Sequence, residues 1–226
     1  MAAHATRSAR GAASSSEDGS RCLMLALSHD ELGVIIDGLA DPLQPVVAVA
    51  LSSTCLGLRT PLRAALEVLK ERHARAVALS RELDTTCAAL RHAHHLDWAN
   101  GRWPEHQRPY WATLGMLLSK WLPRLHQLYL NHNRVIGDAG MQVLCELLGW
   151  GAAPALGYLS LAHNNIRPAG AEALAATLGR GALPKLERLD LTRNPIGNQG
   201  VAALAAPLRK LHVLKWLCLS GCDIGD

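Results

Sequence analysis

The densest group of metal-type ligands in the sequence is His92, His94, His95 and Asp97. Imidazoles beside a carboxylate suit zinc or a related ion, provided their donor atoms converge on one point. On an extended strand, however, adjacent side chains point to opposite faces, which sends His94 and His95 apart. No second ligand pair at metal-type spacing accompanies them, so no metal site is expected. Cys218 and Cys222 stand four residues apart, across what reads as a strand and a turn, and are not expected to pair. No Ser, His and acid arrangement, glycine-rich phosphate loop or paired-carboxylate motif can be picked out. The chain therefore reads as non-enzymatic and free of cofactors. Ser14-Ser15-Ser16-Glu17-Asp18 resembles an acid-directed kinase site, within a stretch that reads as solvated tail.

What the sequence does repeat is a framework that could hold side chains in rows. Leu125-x-x-Leu128-x-Leu130-x-x-Asn133 recurs as Leu156-x-x-Leu159-x-Leu161-x-x-Asn164 and Leu186-x-x-Leu189-x-Leu191-x-x-Asn194. It recurs again as Leu214-x-x-Leu217-x-Leu219-x-x-Cys222. The starts lie 31, 30 and 28 residues apart, slightly beyond the usual spacing of such units. The excess falls in the turn Asn133-Arg134-Val135-Ile136 and in the loops around Gly149-Trp150-Gly151 and Gly179-Arg180-Gly181.

In each unit the paired Leu residues point to one side of a short strand, which stacks in parallel on its neighbours. The buried Asn can satisfy backbone groups of the adjacent coil, and Cys222 takes its place in the last unit. Gly140, Gly170 and Gly200 are expected to precede amphipathic helices whose small Ala faces sit close to the sheet. A degenerate first unit lies in front: Leu96 and Trp98 fall 32 residues before Leu128 and Leu130, and an apolar stretch at helical spacing runs from Trp111 to Trp121. Ile224-Gly225-Asp226 comes before a fourth helix, and without that helix or a cap Leu214, Leu217 and Leu219 are expected to be half covered, as in a fragment, a truncated gene model or a form completed by a partner.

Roughly residues 90 to 226 resemble the ribonuclease-inhibitor-like subclass of leucine-rich repeats. The resemblance implies an α/β solenoid, with parallel strands on the concave face and helices on the convex one. It also implies a protein partner on the concave face. Some members of the subclass are GTPase-activating proteins, which admits a GTPase regulator as a further reading. On such a sheet the outward positions form columns: Gln127, Tyr158, Arg188 and Trp216; then Tyr129, Ser160, Asp190 and Cys218; then Asn131, Ala162, Thr192 and Ser220. Tyr, Trp and Arg dominate binding hot spots because they desolvate much area while keeping a polar handle or charge. Gln127, Tyr129, Tyr158, Arg188, Asp190 and Trp216 are accordingly the expected contact residues, extended beyond the strands by His132, His163 and Arg193.

Composition agrees. Hydrophobic residues make up 49% of 226 and aromatics only 4%, with no Phe, so Leu fills the core and Ala the close contacts. The net charge of +4 is scattered rather than gathered into a phosphate-gripping face, which leaves nucleic-acid binding unsupported. No apolar run approaches the roughly 20 residues of a membrane span. Six cysteines without a C-x-x-C pair suggest free thiols in a reducing compartment, cytoplasmic or nuclear. Residues 1–20 read as a disordered tail. Arg7 and Arg10 ahead of any acid are also compatible with an organelle transit peptide.

Residues 21–62 form a separate helical module, with Asp41-Pro42 marking a helix start. The acidic-Leu opening at Leu32, the pair Ile35-Ile36 before Leu39, the turn at Pro42, and Leu51 with Cys55 ahead of Leu58-Arg59 resemble an F-box. That resemblance implies docking onto a Skp-type adaptor of a cullin ubiquitin ligase through Leu32, Ile35, Ile36, Leu39, Pro42 and Leu51, and a substrate receptor as the function. Ser28-His29 stands where the Leu-Pro opening is usual, and the Trp often found after the Cys is absent. A cap over the open end of the solenoid fits the same apolar periodicity. Residues 63–90 read as one long exposed connecting helix with Glu67-Lys70 and Glu71-Arg75 pairs, ahead of the repeat domain at 91–226.

Overall fold

The computed structural model describes residues 34–35, 39–54, 59–100, 108–134 and 136–225. Among the described residues three complete helices come first: α1 (Val46–Thr54), α2 (Arg59–Glu82) and α3 (Cys87–His92). Strands and helices then alternate: β1 (His95–Asp97), α4 (Arg108–Lys120), β2 (Gln127–Tyr129), α5 (Gly137–Glu146), β3 (Tyr158–Ser160), α6 (Pro168–Gly179), β4 (Arg188–Asp190), α7 (Gly197–Lys210) and β5 (Trp216–Cys218). The five strands make one parallel sheet in chain order. Adjacent strands lie about 4.8 Å apart whereas helices are about 10 Å across, so the stack bends with the strands inside and the helices outside. This is the α/β solenoid expected from the repeats.

The core follows the Leu positions. Leu96, Leu128, Leu159 and Leu189 align across the sheet and are buried, and Leu125, Leu130, Leu156, Leu161, Leu186 and Leu191 close the interior around them. Leu217, next in the aligned row, is 36% exposed. The degenerate first unit is a full member of the sheet: Leu96 pairs with Leu128, and Trp98 is buried.

A ladder of buried polar side chains joins the repeats. Asn133 Nδ2 donates to the carbonyls of Trp98 and Leu130, each at 2.9 Å. Asn164 Nδ2 donates to Leu130 and Leu161, each at 2.8 Å, and Asn194 Nδ2 to Leu161 and Leu191 at 2.8 and 2.9 Å. Asn164 Oδ1 accepts the Asn133 N–H at 2.7 Å, and Asn194 Oδ1 accepts those of Asn164 and Ile166 at 2.9 and 3.0 Å. Cys222 takes the Asn position as expected: buried, its Sγ donates to Leu191 O at 3.1 Å.

Three expectations change. Gly140, Gly170 and Gly200 lie inside the first turns of α5, α6 and α7 rather than before them. Their role is close approach: a Cβ on Gly200 would stand 2.4 Å from Ile196 Cγ2 and 3.0 Å from Ala171 Cβ, so α7 packs directly on the start of α6. The connecting helix ends at Glu82, where Leu83 to Thr86 turn through Asp84 at φ +49° before α3 starts on its Thr86 cap. Nor is it exposed all round: Leu69, Ala76, Leu79 and Ser80 are buried while the Glu67–Lys70 and Glu71–Arg75 pairs face solvent. Finally, Asp41-Pro42 forms a turn, Asp41 Oδ1 accepting the Leu43 N–H at 2.8 Å, and the helix begins later at Val46.

Helix α2 packs against α4 where a preceding repeat would otherwise place its helix, and α1 packs on α2. Among the described residues no helix is long and apolar enough to cross a membrane.

Replacing Asn194 by Ala strands the N–H groups of Asn164 and Ile166 in the interior, at about 1–3 kcal/mol for each orphaned donor. Chemical denaturation should therefore show Asn194→Ala losing about 2–4 kcal/mol, while the exposed Gln199→Ala stays within about 0.5 kcal/mol of the parent; equal losses would remove the ladder from its central place. Burial pushes the Cys145 thiol up to about 11, against the smaller opposing effects of Thr177 and Arg180. Because the thiolate is the reactive form, Cys145 should stay unalkylated by iodoacetamide at pH 8 in the folded protein and react once it is unfolded.

Candidate protein-binding face

In β1 to β4 the alternation of the three-residue strand buries its central Leu and sets the flanking residues on the opposite face, whereas Leu217 of β5 is exposed. Parallel pairing then sets like positions side by side. Gln127, Tyr158, Arg188 and Trp216 follow one another in register, as do Tyr129, Ser160, Asp190 and Cys218. The structure brings the six expected contact residues into these two columns. It also places His95 at the head of the first and Asp97 at the head of the second, positions implied by the 32-residue offset of Leu96 but absent from the expected set.

The face is partly pre-ordered. Tyr129 and Tyr158 meet edge to face at 4.9 Å between ring centroids, and His95 lies against Tyr129 at 5.0 Å while its Nδ1 contacts Gln127 Oε1 at 3.1 Å. Trp216 stands 45% exposed. Asp190 is turned toward its own repeat, its Oδ1 accepting the Thr192 N–H at 3.0 Å and the Thr192 hydroxyl at 2.6 Å. Burial raises the Tyr158 hydroxyl above its usual range, so it stays a neutral donor near neutral pH.

A groove of about 950 Å³ runs over this surface, between Tyr129, Tyr158, Arg188 and Trp216 and a charged edge of Lys185, Glu187 and Lys215. Lys215 Nζ pairs with Glu187 Oε2 at 2.8 Å and holds that carboxyl below its ordinary value. Sequence reasoning missed this edge because its residues precede the strands, where no periodicity marks them.

The histidines behave differently from the strand expectation. His94 lies before β1, so alternation does not apply to it, and both His94 and His95 are exposed. His94 stacks on His126, ring centroids 5.3 Å apart, while His95 faces Gln127. Among the described residues no three His, Cys, Asp or Glu side chains group as metal ligands do. His132 and His163 stack at 4.1 Å beyond the strand ends.

Of the residues assigned to adaptor docking, Leu32 and Ile36 lie outside the described residues, as does the side chain of Leu51. Ile35 and Leu39 are half-buried and Pro42 is buried. The neighbouring Leu43 belongs to the same core as the repeats. Around it, Arg91 pairs with Asp41 at 3.0 Å and hydrogen-bonds Gln44, and His73 Nδ1–H donates to Pro42 O at 2.6 Å.

Residues 123–145, 156–175 and 182–205 match the family model described as Leucine Rich repeat. No curated protein sequence matches the chain. With the parallel sheet, its convex helices and its Asn rungs already in place, those matches make this part of the chain similar to leucine-rich repeats in sequence and in fold.

Proposed function

We propose that the chain is a non-enzymatic protein-binding module that takes its partner on the concave sheet face. The observation that carries this reading is the alignment of Tyr129, Tyr158, Arg188 and Trp216 along one groove. The fold has no need of these side chains where they stand, since the Leu and Asn positions already close the core. Large amphipathic side chains on a rigid sheet lose little conformational entropy on binding, which is how such residues become hot spots.

For the described residues around Pro42 the geometry supports the cap reading over a ligase-docking motif. Pro42 and Leu43 bury their apolar surface within the protein, and the ties from Arg91 and His73 lock that turn onto α2 and α3. An adaptor would have to find its apolar contacts elsewhere in the module. No observation favours a GTPase regulator.

Affinity capture with the full chain, compared with Tyr158→Ala/Trp216→Ala and with the convex-face variant Glu172→Ala, tests the reading once circular dichroism shows all three folded. Bound proteins should fall at least about tenfold with the double variant and remain with Glu172→Ala; equal retention by all three would place the interface off the sheet. The same capture discriminates the module: a Skp-type adaptor that disappears on Leu32→Asp would make the chain a ligase receptor, and the cap reading expects none.

A further inference from the structure

At the third residue past each strand the backbone lies in the left-handed region: Asn100, His132, His163, Arg193 and Gly221, with φ between +53° and +66°. A shared conformation at a shared point of the repeat sets the side chains in a row. His132 therefore stacks on His163 with rings 18° apart in tilt, and Arg193 follows in the next repeat. Gly221 leaves room beside it, since a Cβ there would meet Arg193 Cγ at 3.2 Å.

Two residues further along each turn stand Arg134, Asn165 and Pro195. With His163 and Arg193 they line a depression of about 400 Å³. Its wall holds two guanidinium groups, an imidazole and an amide, and no carboxylate. Among the described residues neither Arg134 nor Arg193 is in an ion pair. The acid that acts on His163 is Asp190, which is engaged by Thr192. Burial, then His132, Arg193 and Arg134, in that order, push the His163 imidazole below its ordinary value, with Asp190 opposing them. Gathered cations without a counter-charge repel one another, and a bound anion would turn the same cluster into a set of charge-assisted donors.

We propose that this depression is a binding site for a phosphoryl group, either free phosphate or the phosphate ester of a phosphorylated side chain. Guanidinium forks engage two oxygens of a tetrahedral anion at once. Imidazole N–H and amide donors on the remaining walls suit its further oxygens better than they suit a flat carboxylate with two. The site is separate from the aromatic columns, so it stands whether or not the concave face binds a protein.

The test is a titration of the full-length chain, followed through the His132 and His163 ring signals by NMR, with inorganic phosphate, a short phosphoserine peptide, and chloride at matched ionic strength. Phosphate should shift both rings saturably and raise the His163 pKa, chloride should not, and Arg134→Gln and Arg193→Gln should each weaken binding about tenfold. Arg209→Gln, remote on α7, and Trp216→Ala should leave it unchanged. A peptide binding at least tenfold tighter than free phosphate identifies the ester as the ligand, and equal binding identifies the free anion. Shifts no larger than those of chloride, or shifts indifferent to both arginine variants, would overturn the site.

Discussion

The structure depends on one constraint: every repeat ends its strand by turning the backbone through the interior, where an unpaired N–H or C=O is costly. The Asn ladder resolves it. Each of Leu130 O and Leu161 O receives the amide of its own Asn and that of the following repeat. A buried carbonyl with two lone pairs is thereby satisfied twice, and successive repeats are fixed in distance and rotation. The register of the sheet and the alignment of the outward columns follow from that fixed step.

Much of this was legible in the sequence because a period-2 strand inside a period of about 30 residues leaves little freedom. Once Leu128, Leu159 and Leu189 are assigned inward, Gln127 must sit beside Tyr158 and Arg188, and Asn133, Asn164 and Asn194 must share one environment. Even Cys222 was readable from its place in the pattern. What could not be read depended on local backbone choices with weak sequence signals. The break after Glu82 comes at Asp84 in a left-handed turn, with no Gly or Pro to announce it. The placing of Gly200 inside α7 reflects contact with Ala171 across repeats, which no single repeat records.

The candidate face shows the same division. Its two columns descend from the strand pattern, whereas the edge of Lys185, Glu187 and Lys215 lies where the chain rises into each strand and obeys no alternation. The first repeat adds His95 and Asp97 through the same pairing that places Leu96. The sheet face is thus set by the repeat, and its charged border by loops, so the two can vary separately in sequence.

The ladder also has a direction. Each Asn side chain donates to its own repeat and to the one before it, and Asn164 and Asn194 accept backbone N–H groups from the preceding repeat. A repeat is therefore secured by its successor. At β5 the rung is a thiol, whose sulfur receives the Asn194 N–H in place of an amide oxygen and whose S–H is a single weak donor where an amide has two. The repeat of β5 is thus joined to its neighbour by fewer buried side-chain hydrogen bonds than the repeat of β4 is to its own, and the Trp216 side of the groove rests on the thinner part of the ladder.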